Sequence, residues 1–527
     1  MKPYTRTAVA VLSLVAVLVS GCAMMAPPIA APTYEPRVYH LEAEAPTEMP
    51  AGDAFGPSTG GTDEPNDQPY GDVFFENYGV NPRIDTEDDN LSTFAVDVDT
   101  GSYTVMRRFI RDGYLPDKDS VRVEEYINFF DQEYDPPTES AFAIHIDGAP
   151  SPYAPNYHLV RVGLRGYEIP PEERKDVVLT FVIDVSGSMD MENRLELVKD
   201  ALELLVGQLR PTDEVGIVVY GSNAHVILEH TPVEDAQTIL KAIRRLSPEG
   251  STNAEEGLIV GYRLAQKAFN PTAVNRVILC SDGVANVGNT GPDSIMARIE
   301  EYAEEGIYLT SVGFGMGNFN DVLLEQLADK GDGFYAYVDD IKEAERVFVH
   351  DLTSTLQVIA KDAKVQVEFN PDVISRYRLI GYENRDVADE DFRNDEVDAG
   401  EIGVGHSVTA LYEVKTRADA PTHEPALTVY LRWEDPDTGE VVEISRAIAI
   451  ADFAQTFEEA SPRFQLDAVV TQYAEILRNS YWAKDAGVTP ADVARDARRV
   501  AEYLPRDEEV QEFAQLATKA IELKTTQ

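Results

Sequence analysis

Between residues 175 and 351 the sequence alternates short apolar runs with segments of helical periodicity. Apolar runs rich in β-branched residues lie at 177–183, 214–220, 276–281 and 308–313, and each predicts a strand buried on both faces. Helical patterns lie between and after them, at 194–208, 236–246, 254–268, 293–305 and 320–328. Repeated strand–helix units predict a mostly parallel sheet with helices on both faces. In such sheets ligands bind at the carboxyl ends of the strands.

Oxygen-bearing side chains follow two of these predicted strands. Asp184-x-Ser186-x-Ser188 comes directly after the first strand, and Asp282 follows the third. A turn-rich loop before a predicted helix adds the hydroxyl of Thr252. Divalent cations such as Mg²⁺ prefer oxygen ligands, so the pattern predicts a metal site at this edge. Other roles remain open for each residue, because Ser and Thr also cap helices and Asp-Gly pairs also form turns.

These three elements together resemble the metal-ion-dependent adhesion site of the von Willebrand factor type A (vWA) family. That site uses an Asp-x-Ser-x-Ser loop, a distant Thr and a distant Asp. The matching positions in this sequence are Asp184, Ser186, Ser188, Thr252 and Asp282. The resemblance implies bound Mg²⁺, with Mn²⁺ as a substitute ion, and one coordination position left for a carboxylate of a protein partner. Zn²⁺ would instead require His or Cys ligands.

Short predicted strands flank this domain on both sides. Alternating apolar patterns occupy 141–174 before it and recur through 352–455 after it, which is typical of a β-sandwich. We expect the two segments to pair, so that the ends of the intervening domain, residues 175–351, lie close together. The expected fold is α/β: a Rossmann-like, doubly wound vWA domain inserted in a β-sandwich, with a small α/β N-terminal region (71–140) and a helical C-terminal tail (456–527).

The two outer regions resemble modules that accompany the vWA domain in one group of bacterial lipoproteins. The N-terminus carries a matching signal, because Lys2 and Arg6 precede an apolar run at 8–19 that ends in Val-Ser-Gly-Cys22. The resemblance implies a signal peptide over residues 1–21, removed before a lipidated Cys22. A plain secretory signal with an incidental Cys is the alternative interpretation.

The segment after Cys22 is expected to be a tether. Residues 22–70 are acidic and rich in Pro and Gly without periodicity, which predicts disorder. We therefore expect a lipid-anchored protein of the bacterial cell envelope. Ala23 favours the outer membrane if the cell is Gram-negative, because Asp at that position in lipoproteins tends to retain them at the inner membrane.

The charge of the chain excludes one class of partner. The sequence has 45 basic and 93 acidic residues, a net charge of −48. Nucleic acid is not an expected partner, since phosphate contacts need Lys and Arg. There are two cysteines, and lipid on Cys22 would leave Cys280 without a disulfide partner, as a buried small side chain in an apolar strand.

We expect a binding protein and not an enzyme. A metal-assisted hydrolase needs a general base near an activated water, and the loops around the predicted site offer no His and no carboxylate with that evident role. The main alternative is an envelope assembly scaffold in which the flanking modules bind partners and the metal is structural. A metal-dependent hydrolase is the less favoured alternative.

Overall fold

The structure, a computed structural model, describes residues 73–96, 99–138, 140–170, 173–283, 292–316, 319–351, 357–395 and 397–526. The expected signal peptide, the tether and the lipidation at Cys22 lie outside these residues. Within the described ranges, none of the helices combines the length and the apolar character needed to cross a membrane.

The described residues form three sheets and a set of helices around them. The strands, in chain order, are β1 (Ile84–Asp85), β2 (Leu91–Ala95), β3 (Phe142–Pro150), β4 (His158–Gly166), β5 (Val177–Asp184), β6 (Glu214–Tyr220), β7 (Ala224–Pro232), β8 (Val274–Ser281), β9 (Ile307–Phe314), β10 (Tyr335–Val338), β11 (Val358–Phe369), β12 (Ile374–Ile380), β13 (Gly400–Gly403), β14 (Ser407–Thr416), β15 (Pro425–Glu434) and β16 (Val441–Ala449). The α-helices are α1 (Gly101–Asp112), α2 (Val123–Asn128), α3 (Arg194–Val206), α4 (Ala236–Ile243), α5 (Ala254–Ala268), α6 (Pro292–Glu304), α7 (Asp321–Asp329), α8 (Ile341–Glu345), α9 (Pro462–Leu477), α10 (Tyr481–Ala486), α11 (Pro490–Tyr503) and α12 (Glu508–Thr526).

The central sheet has the strand order β10-β9-β8-β5-β6-β7. Its strands run parallel except for β7, which is antiparallel to β6 at the edge. Helices α3 and α4 pack into one buried cluster with this sheet, and α5, α6 and α7 pack into another. The predicted vWA-type α/β fold is confirmed. The apolar-run pattern misses β7, whose residues are only half-buried or exposed, and β10, which has only four residues.

The other two sheets form the sandwich. One has the order β1-β12-β14-β4-β3, and the other has β13-β11-β15-β16 with β2 also beside β11. Strand β4 pairs with β14 in antiparallel register, with Arg165 opposite Ser407 and His158 opposite Val414. The β segments before and after the vWA domain therefore share a sheet, as the sequence predicts. Strands β1 and β2 show that the N-terminal region also contributes to the sandwich.

The ends of the inserted domain lie side by side. The N–H of Lys175, just before β5, donates to Oε1 of Gln357, just before β11, over 3.2 Å. The N–H of Val404 in turn donates to the carbonyl of Gln357 over 3.0 Å. The chain thus leaves and re-enters the sandwich at one place, which is the geometry that domain insertion requires.

Helix α1 lies between the vWA domain and the helical tail. Its residues Val105 and Phe109 belong to the buried cluster that includes α5, α6 and α7, whereas Met106 and Ile110 pack into the cluster formed by α2, α9, α11 and α12. The tail is also joined to the sandwich, because Arg161 of β4 forms a 3.0 Å ion pair with Asp467 of α9. The helical C-terminal region is confirmed.

Candidate metal site

The first predicted ligand, Asp184, is the last residue of β5 and is completely buried. Its Oδ1 accepts the N–H of Ser186 over 2.7 Å, and its Oδ2 accepts the hydroxyl of Ser281 over 3.1 Å. Burial, followed by the charge of Asp282, raises the pKa of Asp184 to about 6. The carboxylate is therefore fixed in place but short of compensating positive charge.

The two serines connect Asp184 to Asp282. The hydroxyl oxygens of Ser186 and Ser188 are 3.0 Å apart, and Ser188 donates to Oδ1 of Asp282 over 3.1 Å. Asp282 follows β8, which neighbours β5 in the sheet. Four of the predicted ligands thus form one hydrogen-bonded group at the carboxyl ends of two parallel strands.

Thr252 lies on the loop beside this group. The N–H of Gly187 donates to the carbonyl of Gly250 over 3.2 Å, and the N–H of Glu249 donates to the carbonyl of Val185 over 2.5 Å. These bonds hold the loop of Thr252 against the loop of the two serines. Thr252 itself is half-buried, and in the described part of the chain no hydrogen bond joins it to the other four residues.

The structure contradicts the helix-capping alternative for all three hydroxyls. Helix α5 is capped by Asn253, which accepts the N–H of Glu256 over 3.3 Å. Helix α3 has Asn193 at its N-cap position, and Ser186 makes no side-chain cap bond to the short 3₁₀ turn that follows it. The hydroxyls are therefore not used to cap helices.

Two residues of the site were missed from the sequence, Ser281 and Arg194. Arg194 donates from Nη1 to Oδ2 of Asp282 over 2.7 Å, and from Nη2 to the carbonyl of Met316. Gly315 adopts a φ of +82° directly beside the Arg194 side chain, where an added Cβ would lie 2.3 Å from Nε. Arg194 is the first residue of α3, and nothing in its spacing distinguishes it from a surface arginine. Ser281 could have been recognised from the sequence, because it lies between an apolar strand and Asp282.

The donor set fits a hard divalent cation. Every predicted ligand offers oxygen. Hard cations such as Mg²⁺, Ca²⁺ and Mn²⁺ prefer oxygen ligands over sulfur. Asp282 is compensated by Arg194, but Asp184 has no cationic partner among the described residues and its pKa is raised. A cation between the two carboxylates would supply the missing positive charge. Asp184, Ser186, Ser188, Thr252 and Asp282 are the residues placed to hold it.

A second group of carboxylates lies in the sandwich. Asp362, Asp398 and Glu401 have ligand atoms within 4.8 Å of one another, far along the chain from the predicted site. Asp362 already accepts the N–H of Ala399 over 3.1 Å, and Asp398 pairs with Lys330 over 3.2 Å. Burial and the neighbouring acids raise the pKa of Glu401. The sequence gives no sign of this group, because strand pairing assembles it.

Family profiles cover most of the described chain. The profile described as "von Willebrand factor type A domain" matches residues 179–352, and the one described as "von Willebrand factor" matches residues 70–161. A third, described as "Uncharacterized protein YfbK, C-terminal", matches residues 354–523. The three profiles therefore follow one another along the chain in the order of the central domain and its two flanks.

Individual proteins are also similar to this chain. Among known structures, "von Willebrand factor type A from Catenulispora acidiphila" is similar, with 18% identity, a TM-score of 0.40, and coverage of 64% of this chain and 79% of that chain. Inter-alpha-trypsin inhibitor heavy chain H3 of Homo sapiens is 29% identical over 178 residues, which are 32% of this chain and 19% of that protein. The "Uncharacterized protein YfbK" of Escherichia coli (strain K12) is 38% identical over 435 residues, 78% of this chain and 75% of that protein. vWA domains mediate protein–protein interaction and commonly bind a divalent metal. With a vWA domain at its centre and this similarity along most of its length, the chain belongs to the YfbK family of vWA proteins.

Proposed function

We propose that this chain binds a protein partner through Mg²⁺ held at the carboxyl edge of β5 and β8. The ligands are Asp184, Ser186, Ser188, Thr252 and Asp282, and a carboxylate of the partner completes the metal shell. The observation that carries the proposal is the hydrogen-bonded group of two buried carboxylates and two serine hydroxyls at this edge, with no hydroxyl used for capping.

The charges of the site favour an incoming carboxylate. The hydroxyl ligands are neutral, and of the two aspartates one is already paired with Arg194. Mg²⁺, two carboxylates and one guanidinium leave one net positive charge in a buried setting. Uncompensated buried charge is costly, so a carboxylate from the partner is stabilised there more than a neutral group. This is a physical reason for the partner to present Asp or Glu.

We further propose that the site binds and does not catalyse. Among the described residues, the side chains that hydrogen-bond to Asp184 and Asp282 are those of Ser186, Ser188, Ser281 and Arg194. None of them is a general base at neutral pH, which metal-assisted hydrolysis needs. We also propose that lipid on Cys22 anchors the protein in the bacterial cell envelope, a proposal that rests on the N-terminal sequence.

The metal is tested first. Titration calorimetry of the full-length protein with MgCl₂ is expected to show one saturable site, which Asp184→Asn removes. The matched control is Asp235→Asn, which changes an exposed aspartate of the same domain and is expected to leave Mg²⁺ binding unchanged. Equal Mg²⁺ binding by wild type and Asp184→Asn would refute the metal site.

The partner is tested with the same three proteins. Each is used to capture proteins from a membrane extract in Mg²⁺ and in EDTA, and circular dichroism checks that each is folded. We expect wild type and Asp235→Asn to capture the same protein in Mg²⁺ but not in EDTA. Crosslinking then identifies whether its Asp or Glu contacts the site. Capture that is the same in EDTA and with Asp184→Asn would favour the scaffold alternative.

A further inference from the structure

The loops that carry the candidate metal ligands also carry exposed acidic side chains. Asp190 lies two residues after Ser188, so its Cα is within about 8 Å of the Cα of that ligand. Glu249 lies on the neighbouring loop, where its N–H donates to the carbonyl of Val185 over 2.5 Å. Both acidic side chains are exposed, as is that of Glu192. We call Asp190, Glu192 and Glu249 the acidic rim of the candidate metal site.

Two of the three carboxylates of the acidic rim lack a compensating cation. Within the described ranges, neither Asp190 nor Glu249 forms an ion pair with a Lys or Arg. Glu192 differs, because its Oε2 pairs with Nη2 of Arg108 over 2.9 Å. Arg108 also pairs with Asp112 over 2.7 Å, so its positive charge is already matched. The acidic rim therefore keeps negative charge that nothing nearby on the described chain neutralises.

The surrounding loops add no other positive charge. The described loop segments at this edge of the sheet are 185–193, 221–223, 247–253, 282–283 and 315–316, and none of them contains Lys or Arg. Arg194 follows the first segment, but it is buried and paired with Asp282. The sequence at 284–291 has no charged residue. A partner that approaches the metal from solvent therefore meets the acidic rim first.

The metal and the acidic rim make different demands on a partner. With Mg²⁺ bound, Asp184, Asp282 and Arg194 leave one net positive charge at the metal, which attracts a carboxylate. Asp190 and Glu249 add two negative charges around it, which repel a carboxylate during its approach. These interactions act over several ångströms in water until salt screens them. Basic side chains beside the incoming carboxylate convert this repulsion into attraction.

An apolar side chain interrupts the acidic rim. Met191 lies between Asp190 and Glu192 in the chain and is 51% exposed. Glu192 and Asn193 both adopt positive φ angles, of 53° and 59°. The ion pair between Glu192 and Arg108 holds this turn against α1. Met191 is thus presented to solvent on a supported turn, and the flexible side chain of methionine adapts to the shape of a partner.

We propose that the protein partner presents its metal-binding Asp or Glu from a basic surface. Lys or Arg side chains beside that carboxylate pair with Asp190 and Glu249, and an apolar side chain packs on Met191. This inference rests on the proposed function, because it describes the partner of the same metal site. It adds that the charges around the carboxylate select the partner, since the metal alone would accept any exposed acidic side chain.

Four synthetic peptides test the inference. Three have a central Asp with Ala on each side, followed at both ends by a pair of Lys, Gln or Glu, and the fourth has the Lys ends but a central Asn. Fluorescence anisotropy measures their binding to the full-length protein at low salt, in saturating MgCl₂ and in EDTA. In Mg²⁺ the Lys peptide with Asp is expected to bind about fivefold or more tightly than the Gln peptide, because it gains two exposed ion pairs. The Glu peptide should bind most weakly, and high salt should reduce these differences.

Two double variants locate the preference for Lys. The first combines Asp190→Asn with Glu249→Gln, which removes charge from the acidic rim and keeps every metal ligand. It is expected to bind the Lys and Gln peptides almost equally. The control combines Glu234→Gln with Asp235→Asn, because these exposed acids lie on the turn after β7, beside the start of β6 at the opposite edge of the sheet. It should keep the full preference, and circular dichroism checks that both variants are folded.

Equal affinity for the Lys, Gln and Glu peptides in Mg²⁺ would reject this inference and leave the proposed function standing. An unchanged preference for Lys in the Asp190→Asn, Glu249→Gln variant would also reject it, as would a lack of binding by the Lys peptide with Asp. The proposed function fails by a different result. In that case the Asn peptide binds as tightly as its Asp counterpart, and neither EDTA nor Asp184→Asn weakens the binding.

Discussion

Nη1 of Arg194 lies 2.7 Å from Oδ2 of Asp282, and the two side chains are only 4% and 2% exposed. Because of this buried ion pair, the two carboxylates of the candidate metal site differ in how far their charge is compensated. Asp282 keeps a fixed counter-charge, whereas the nearby Asp184 has none among the described residues. The site is thus partly neutralised before any metal binds.

Arg194→Met is expected to destabilise the metal-free protein. Removing one partner of a buried ion pair leaves an uncompensated charge, which typically costs about 3–5 kcal/mol. Mg²⁺ is expected to restore part of this loss, because ligand binding to the folded state stabilises it. The measurement is thermal unfolding with and without MgCl₂, in which the rise in Tm should be larger for Arg194→Met than for wild type. Arg244→Met, which breaks a surface pair with Glu203, serves as the control, and an equal rise in all three proteins would contradict the expectation.

Mg²⁺ affinity is expected to fall as the pH is lowered through about 6. The pKa of Asp184 in the folded, metal-free protein is raised to about 6, mainly by burial, so a proton competes with the metal below that pH. One displaced proton makes the affinity fall about tenfold per pH unit in the acid range, and the affinity should level off above about pH 7. Calorimetric titrations across this range test the slope. An affinity that does not change down to about pH 5 would mean that Asp184 does not bind the metal.

The raised pKa of Asp184 also affects the stability of the metal-free protein. A carboxyl group with a higher pKa in the folded than in the unfolded state binds its proton more tightly when folded. The metal-free protein should therefore lose stability as the pH rises from the ordinary aspartate range through about 6. Denaturant titrations in EDTA at several pH values measure this for wild type against Asp184→Asn. The asparagine variant is expected to lack this component of the pH dependence.

Gly221→Ala is expected to weaken Mg²⁺ binding without removing a ligand. A Cβ at Gly221 would lie 2.2 Å from the carbonyl oxygen of Glu249, so the loop that carries Thr252 must move. Displacing a supporting contact of a metal site typically costs about 10- to 100-fold in affinity. Gly207→Ala is the control, since Gly207 follows α3 with an ordinary helical φ of −66° and its Cβ would meet only carbonyls of α3. Calorimetry that shows equal affinity for both variants would exclude a role for this loop.

Arg161→Met is expected to loosen the helical tail. Arg161 pairs with the fully buried Asp467 over 3.0 Å, and Gln132 donates to the same carboxylate over 2.8 Å. Leaving Asp467 without its counter-charge should cost about 3–5 kcal/mol. Hydrogen exchange is expected to rise first in α9. Arg393→Met, which breaks a surface pair with Glu443, should leave exchange in α9 nearly unchanged. Unchanged α9 protection in Arg161→Met would show that packing alone holds the tail.

Local patterns predicted the vWA sheet, and they marked the candidate metal ligands. Asp184 and Asp282 were recognisable because each follows an apolar run, and parallel topology brings such strand ends together. The pairing of β4 with β14 was predictable from two strand-rich segments on either side of a complete α/β unit. The sequence could not indicate Arg194 or the carboxylate group of Asp362, Asp398 and Glu401 in the same way. Both arise from contacts between distant segments, as in Arg194 with Met316 or strand β11 with β13, and no spacing rule encodes them.

The insertion also has a consequence for the order of folding. Strands β4 and β14 are more than two hundred residues apart in sequence yet are neighbours in one sheet, so their pairing closes a very long loop and should be slow. A vWA domain that folds first brings Lys175 and Gln357 together and shortens that loop. Until then β4 has an open edge, which promotes aggregation. A mutation that slows folding of the vWA domain is therefore expected to delay completion of a sheet that contains none of its residues.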